Sequence, residues 1–301
     1  MSESRRGTLL GFAAYLLWGV FPLYFHALAP SGAIEVLASR IVWSLLLCLL
    51  VLAVLRQWAW IRPLFGQPKV LAGLALAAGA IALNWGVYVA AVLSGHAADA
   101  ALGYFLNPLL TVALGVLVLG ERLRPMQWWA LGVGAAAAAY LTVVGGQVPV
   151  VALTLACSFA VYGLVKKRVG ASLAALPGLT VETAVLAPFA AAALVVLAAR
   201  GETTYAVDAP WHPILLLLTG PVTVVPLVMF AAAARRVPLV TIGLLQFVAP
   251  VMQLLSALVL GERPAAARWV GFAVVWVALA LLTVDSLRHR AGPGPEPAEP
   301  V

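Results

Sequence analysis

LVLGER at residues 117–122 and LVLGER at residues 258–263 are one phrase written twice, 141 positions apart in a chain of 301. Each copy closes an apolar run that holds a proline (Pro108, Pro250) and side-chain amides (Asn107; Gln246 and Gln253). A tryptophan follows each glutamate by seven positions (Trp128, Trp269). Weaker echoes extend the repeat toward the start of each half. Trp18-Gly19-Val20 answers Tyr162-Gly163-Leu164 at an offset of 144, and Glu35 answers Glu182 at 147. Loop insertions produce such drift. The spacing divides the chain into residues 1–145 and 146–287, joined through Gly145-Gly146-Gln147-Val148-Pro149, with a Pro/Gly-rich tail at 288–301 expected to be disordered.

Composition settles the solvent of these two modules. The chain is 64% hydrophobic and only 10% charged, against roughly 25% charged in soluble domains, and its mean hydropathy is +1.05. A bilayer core takes about 20 apolar residues as helix. Ten runs qualify: 7–26, 33–55, 70–93, 98–119, 126–145, 148–165, 174–199, 212–233, 238–260 and 265–285. The reading is an all-α polytopic membrane protein of ten transmembrane helices arranged as two inverted five-helix repeats. The first run is too long for the apolar region of a secretory signal, so it is read as a retained span despite the cleavage-like Ala27-Leu28-Ala29.

A net charge of +7 and a pI near 9.8 would suit nucleic acid, but the placement of the basic residues argues for orientation instead. With the N-terminus inside, fourteen fall on that face: Arg5, Arg6, Arg56, Arg62, Lys69, Arg122, Arg124, Lys166, Lys167, Arg168, Arg235, Arg236, Arg288 and Arg290. Arg200, Arg263 and Arg268 fall on the other, and Arg40 lies within a span. That asymmetry is the positive-inside pattern. It places both termini in the cytoplasm of a multi-pass inner-membrane protein, with the lipid bilayer rather than nucleic acid as partner.

Five spans is an odd number, so the second module crosses in the opposite sense to the first. Inverted repeats are a recurring architecture of secondary transporters, which hold substrate near the midplane between the halves. The sequence also resembles a known family. GFAAYLLWGVFP (11–22), EVLASRIVWS (35–44), Asn84-Trp85, GYFLNP (103–108), GLLQFVAP (243–250) and RWVGF (268–272) match, in order, the EamA-type drug/metabolite transporter superfamily in its RarD branch, whose members are labelled chloramphenicol-sensitive protein. The likeness covers about residues 7–287. It implies a 5+5 inverted bundle that exports or exchanges a small metabolite, amino-acid-like compound or drug by alternating access, with a link to chloramphenicol sensitivity. A non-transporting membrane sensor or assembly protein on the same bundle is the alternative. Pro108 precedes Gly120 by twelve residues and Pro250 precedes Gly261 by eleven, so these prolines are neighbours in register rather than equivalents.

Charges at the bilayer centre cost about 2.5–3.5 kcal/mol on insertion scales, so the few ionisable residues inside spans are site candidates. Arg40 is expected to meet a carbonyl end, an amide or an anionic substrate group. Glu35, five residues earlier, lies about 140° away around the helix. It either snorkels to the outer headgroups or, with Glu182, serves coupling or gating. Asn84 and Tyr88 share a helix face, as do Tyr104 and Asn107, where Pro108 frees a carbonyl in the preceding turn. Gln246 and Gln253 form the counterpart face of the second half. Trp18 and Tyr162, each beside a glycine, either stack on substrate or pack helices closely. These eleven residues are the candidate site; the alternative for the amides is helix-to-helix bonding. Trp58, Trp60, Trp128, Trp129, Trp211 and Trp269 fall near span ends and read as interface anchors. Pro221 and Pro226 are read as kinks. Cys48 and Cys157 suggest no disulfide, His26, His96, His212 and His289 fall at span ends, and no phosphate-binding GxxxxGK[ST] occurs. The expectation is therefore a non-enzyme without metal or cofactor that handles a small-molecule substrate, as a monomer or homo-oligomer.

Overall fold

A computed structural model describes residues 3–119, 125–144, 148–169, 173–206, 209–234, 236 and 245–288. The first copy of the repeated phrase from Gly120 onward, the link at 145–147 and the tail from 289 lie outside the described residues. Twelve helices are described: α1 (Glu3–Gly19), α2 (Phe21–His26), α3 (Ala33–Val54), α4 (Ile61–Phe65), α5 (Pro68–Leu93), α6 (Ala97–Leu119), α7 (Pro125–Val144), α8 (Val150–Val169), α9 (Ala175–Ala199), α10 (Trp211–Ala234), α11 (Val248–Val259) and α12 (Ala266–Arg288). No strand occurs among the described residues.

Length and apolarity allow eight spans to cross a bilayer, with α1 and α2 together forming the span Glu3–His26. The expected sixth and ninth runs appear as shorter apolar helices, Val150–Lys166 and Val248–Val259. Residues 238–244 of the ninth run lie outside the described residues. Only 22–44% of each long span's apolar window is buried, yet the outward residues are Leu50, Val54, Leu83, Leu117, Phe189, Val195 and others of their kind. An apolar exterior on helices whose backbone bonds close internally suits lipid, not water.

Local sequence sets the helix ends. Gly95 (φ 74°) follows α5 in the left-handed region that glycine adopts without strain. His96 N–H bonds back to Ala91 O at 2.7 Å, closing a tight turn into α6. Gly261 (φ 86°) ends α11 the same way, with Glu262 N–H on Ala257 O at 3.0 Å. That turn aims the Glu262 carboxylate at the start of α6, where it accepts from Ala97 N–H (2.7 Å) and Ala98 N–H (2.9 Å). An anion there satisfies two orphan donors and complements the helix dipole. Arg268 and Asp99 form an ion pair at 2.9 Å in the same corner. The second copy of the phrase is thus a helix stop that caps another helix 164 residues away in sequence.

The most extensive helix pairings are α6 with α8, α1 with α11, α5 with α8, α1 with α10, α3 with α10, α5 with α9, α3 with α9, α6 with α11 and α7 with α12. Small residues permit several of these. A Cβ at Gly220 would lie 2.6 Å from the Trp43 carbonyl of α3, and one at Gly103 2.8 Å from Ala152 O of α8. Gly19 admits Met252 of α11 at the break between α1 and α2. Gly163, where close packing was one of two readings, has nothing among the described residues within 4 Å of its Cβ position. Its close-packing reading is therefore corrected.

Glu262→Ala removes two charge-assisted caps and is expected to destabilise the fold by about 1–3 kcal/mol. A lowered melting midpoint in detergent checks this, with Glu262→Gln falling between the two.

Candidate functional site

The helix α3 carries two polar stripes at four-residue spacing. Arg40 and Ser44 belong to one, while Glu35, Ser39 and Trp43 belong to the other. Each stripe faces a different neighbour, which is why Glu35 and Arg40 do not pair.

Arg40 is buried, 4% exposed. Its Nε donates to Thr223 Oγ1 of α10 at 2.8 Å, and this is the one hydrogen bond its side chain makes among the described residues. Thr223 turns its own proton onto Thr219 O at 2.8 Å, leaving its oxygen free to accept. The guanidinium lies 4.1 Å from the Trp85 ring centre, with Phe21 and Phe25 at 5.5 and 5.6 Å. Desolvated cation–π contacts of this kind contribute on the order of 2 kcal/mol, and they supply no counter-charge. Neither the carbonyl nor the amide expected beside Arg40 is its partner; a hydroxyl and three rings are.

Four further candidates gather here. Tyr104 donates to Asn84 Oδ1 at 3.0 Å, and Asn84 Nδ2 donates to Leu155 O (2.9 Å) and Ser158 Oγ (3.1 Å) of α8. Asn84 is therefore committed to holding α5, α6 and α8 together. Tyr88 packs edge-on against Phe25 and Tyr104, and its buried hydroxyl has no partner among the described residues. From Tyr104 the aromatic contacts continue to Phe159 at 6.3 Å and on to Tyr162 at 5.9 Å. A continuous aromatic wall thus links the Arg40 cage with Tyr162. Asn107, three residues beyond Tyr104, has a buried Oδ1 without a partner among the described residues.

The remaining candidates are placed apart. Gln253 donates to Trp18 O at 3.3 Å and leaves Oε1 unpartnered. Its neighbour Ser256 donates to Gly19 O at 3.1 Å, so this face of α11 binds the carbonyls exposed where α1 breaks. Trp18 packs against Tyr15 and Phe230. Gln246 is half-buried beside α11, and nothing among the described residues ties it to Arg40. A groove of about 340 Å³ lies between the α1–α2 break and α10, lined by Phe21, Tyr24, Pro221 and Pro226 among others. Phe21 is common to this groove and the Arg40 cage.

Glu35 does not snorkel. It is 1% exposed, accepting Thr204 N–H (2.7 Å) and Thr204 Oγ–H (2.8 Å) from the loop between α9 and α10. Ser31 Oγ lies 2.6 Å from Thr204 Oγ1 and 2.9 Å from His212 Nε2. Burial without water forces such a group to find donors, and a loop threonine supplies two. Ser39 and Trp43, on the same stripe, both bond Tyr205 Oη. The loop is thereby fastened along three turns of α3. Glu182, also 1% exposed, pairs with Lys166 Nζ at 2.6 Å and accepts from Tyr162 Oη at 3.2 Å. Lys166, counted in the sequence only as an orienting charge, is its counter-ion. Thr223, Trp85, Phe21 and Phe25 were likewise not picked out as site residues. The Thr219/Thr223 spacing of four beside Gly220 and Pro221 was the available signal.

Among the described residues no group of His, Cys, Asp and Glu could hold a metal ion. Cys48 is buried and Cys157 exposed, both as free thiols.

Comparison with known proteins bears on what such a bundle is. Residues 5–143 match the model of the EamA-like transporter family. "Protein RarD" of Streptomyces exfoliatus is 49% identical over 288 residues, spanning 95% of this chain and 91% of that protein. An uncharacterised transporter of Pseudomonas aeruginosa is 43% identical over 294 residues, spanning 96% and 98%. A solved crystal structure superposes with a TM-score of 0.60 at 21% identity, over 94% of this chain and 98% of that one, a likeness of fold. The chain belongs to the EamA-type transporters, in their RarD branch. It is a multi-pass, all-helical membrane protein of a transporter family.

Burial of the Glu182–Lys166 pair generates a stability prediction. Lys166→Met strands a carboxylate, at a cost of about 3–5 kcal/mol. Lys166→Met with Glu182→Gln is expected to recover most of that loss, as read by thermal unfolding of the two variants.

Proposed function

We propose that this member of the EamA-type family is a secondary transporter that exports or exchanges a small metabolite, amino-acid-like compound or drug by alternating access. The supporting observation is the helix packing. Taking α1–α2, α3, α5, α6 and α7 as one half and α8 to α12 as the other, exchange of the halves carries every one of the most extensive pairings onto another. The α6–α8 pairing becomes α11–α1, α5–α8 becomes α10–α1, and α3–α10 becomes α9–α5. The pairings α3–α9, α6–α11 and α7–α12 map onto themselves. Five crossings per half reverse the second relative to the first, so the same bundle has two equivalent poses, one open to each side. Residues 1–145 and 146–287 are the two repeats on this reading, and the family model's match to residues 5–143 agrees with the length of one.

The charge asymmetry puts both termini in the cytoplasm and the chain in the inner membrane. Arg40, Tyr88, Tyr104 and Asn107 then form the binding wall, with Asn84 holding it in place. Tyr162 extends the wall toward Glu182. Glu35 and Glu182 act as gates: each fixes one end of the bundle through a buried carboxylate, Glu35 through the Thr204 loop and Glu182 through Lys166. Gln253 and Trp18 fasten the α1 break against α11, and Gln246 lines the second half.

Counterflow in proteoliposomes across a broad metabolite panel tests the reading. Saturable flux stimulated by solute on the far side is expected, and Arg40→Ala and Asn107→Ala are expected to abolish it at unchanged membrane abundance. Absence of flux for every solute would instead mark a non-transporting sensor or assembly protein on the same bundle.

A further inference from the structure

We infer that the substrate carries a single carboxylate on an apolar body, and that this carboxylate completes Arg40. The inference rests on the carrier reading and names its substrate class. Arg40 holds a buried positive charge for which the described residues supply no anion. Glu35 is occupied by Thr204, Glu182 by Lys166 and Tyr162, Glu262 by the start of α6, and Asp99 by Arg268. A charge taken out of water in this way calls for an opposite charge of equal size.

The donors present define which anion. Thr223 takes the Nε edge of the guanidinium and Trp85 lies against its face. The Nη groups are left, a planar pair of donors matched by the two oxygens of a carboxylate. Tyr88, whose ring packs on Phe25 beside Arg40, adds a buried hydroxyl with no partner among the described residues. A neutral amide leaves the charge uncompensated, an amine adds a second positive charge, and a phosphate dianion leaves one negative charge in excess. The rest of the wall is ring surface from Phe21, Phe25, Trp85 and Tyr104, which suits an apolar or aromatic body and offers it little hydrogen bonding.

The experiment compares ligands of one skeleton on the purified full chain. Phenylacetate, phenylacetamide, phenethylamine and phenyl phosphate are titrated by thermal shift and then used in counterflow, with acetate and 4-methylpentanoate to vary the body. The carboxylates with an apolar body are expected to bind at least about tenfold more tightly than the amide, amine or phosphate. Tyr88→Phe deletes only a partnerless hydroxyl, so it is expected to leave the ligand-free melting point unchanged and weaken phenylacetate by about tenfold. Arg40→Lys retains the charge without the planar pair and is expected to weaken it at least as much. Equal binding of amide and carboxylate, indifference to Tyr88→Phe, or failure of all the carboxylates overturns the inference. If amines or neutral solutes show trans-stimulated flux while carboxylates do not, the substrate class is wrong and the carrier reading stands. If no solute of any class moves, the carrier reading itself fails.

Discussion

A guanidinium sealed among aromatic rings is the constraint around which this bundle is arranged. Arg40 is buried from solvent, so it must draw its stabilisation from its neighbours. Thr223 on α10 gives one hydrogen bond and Trp85 on α5 gives a ring face. Those two contacts bind α3 to helices on either side of it, and Phe21 and Phe25 bring in the segment after the α1 break. The packing that results satisfies the shape of Arg40 but not its charge. On the proposal above, stability and function meet at one residue: among the described residues no anion neutralises this cation, and a ligand would.

The same accounting governs several other buried polar groups, and there the protein completes it alone. Glu35 receives two donors from Thr204, Glu182 receives Lys166, Glu262 receives the first amides of α6, and Asn84 is fully engaged across three helices. Among the described residues, the atoms left without a partner include Tyr88 Oη, Asn107 Oδ1 and Gln253 Oε1. Tyr88 and Asn107 lie on or beside the wall that starts at Arg40. The contrast separates residues that hold helices together from residues with a buried polar atom to spare.

Hydropathy made the helices legible in the sequence because one physical variable, length of apolar run, decides a span. The run at 70–93 became Pro68–Leu93 and that at 98–119 became Ala97–Leu119. Arg40 stood out for the same reason, since charges are rare in such runs. Its surroundings did not, because Thr223 is 183 residues away and a threonine in an apolar helix carries no special signal. Glu35 was open to misreading as a snorkelling residue because its partner sits in a loop 169 residues on. Lys166 looked like an orienting charge because the sequence does not say that its side chain turns inward to Glu182. Periodicity reads what a helix does to its own neighbours; contacts between helices depend on how the two halves meet.

That meeting is the central claim, and reciprocal accessibility tests it most directly. In a background with Cys48 and Cys157 replaced by alanine, single cysteines at Ala33, close to Glu35, and at Leu176, close to Glu182, are labelled with a membrane-impermeant thiol reagent from each side. Addition of a transported solute is predicted to move the two labelling rates in opposite directions, one end closing as the other opens. Rates that rise or fall together, or that ignore the solute while flux continues, would contradict two inverted halves working in alternation.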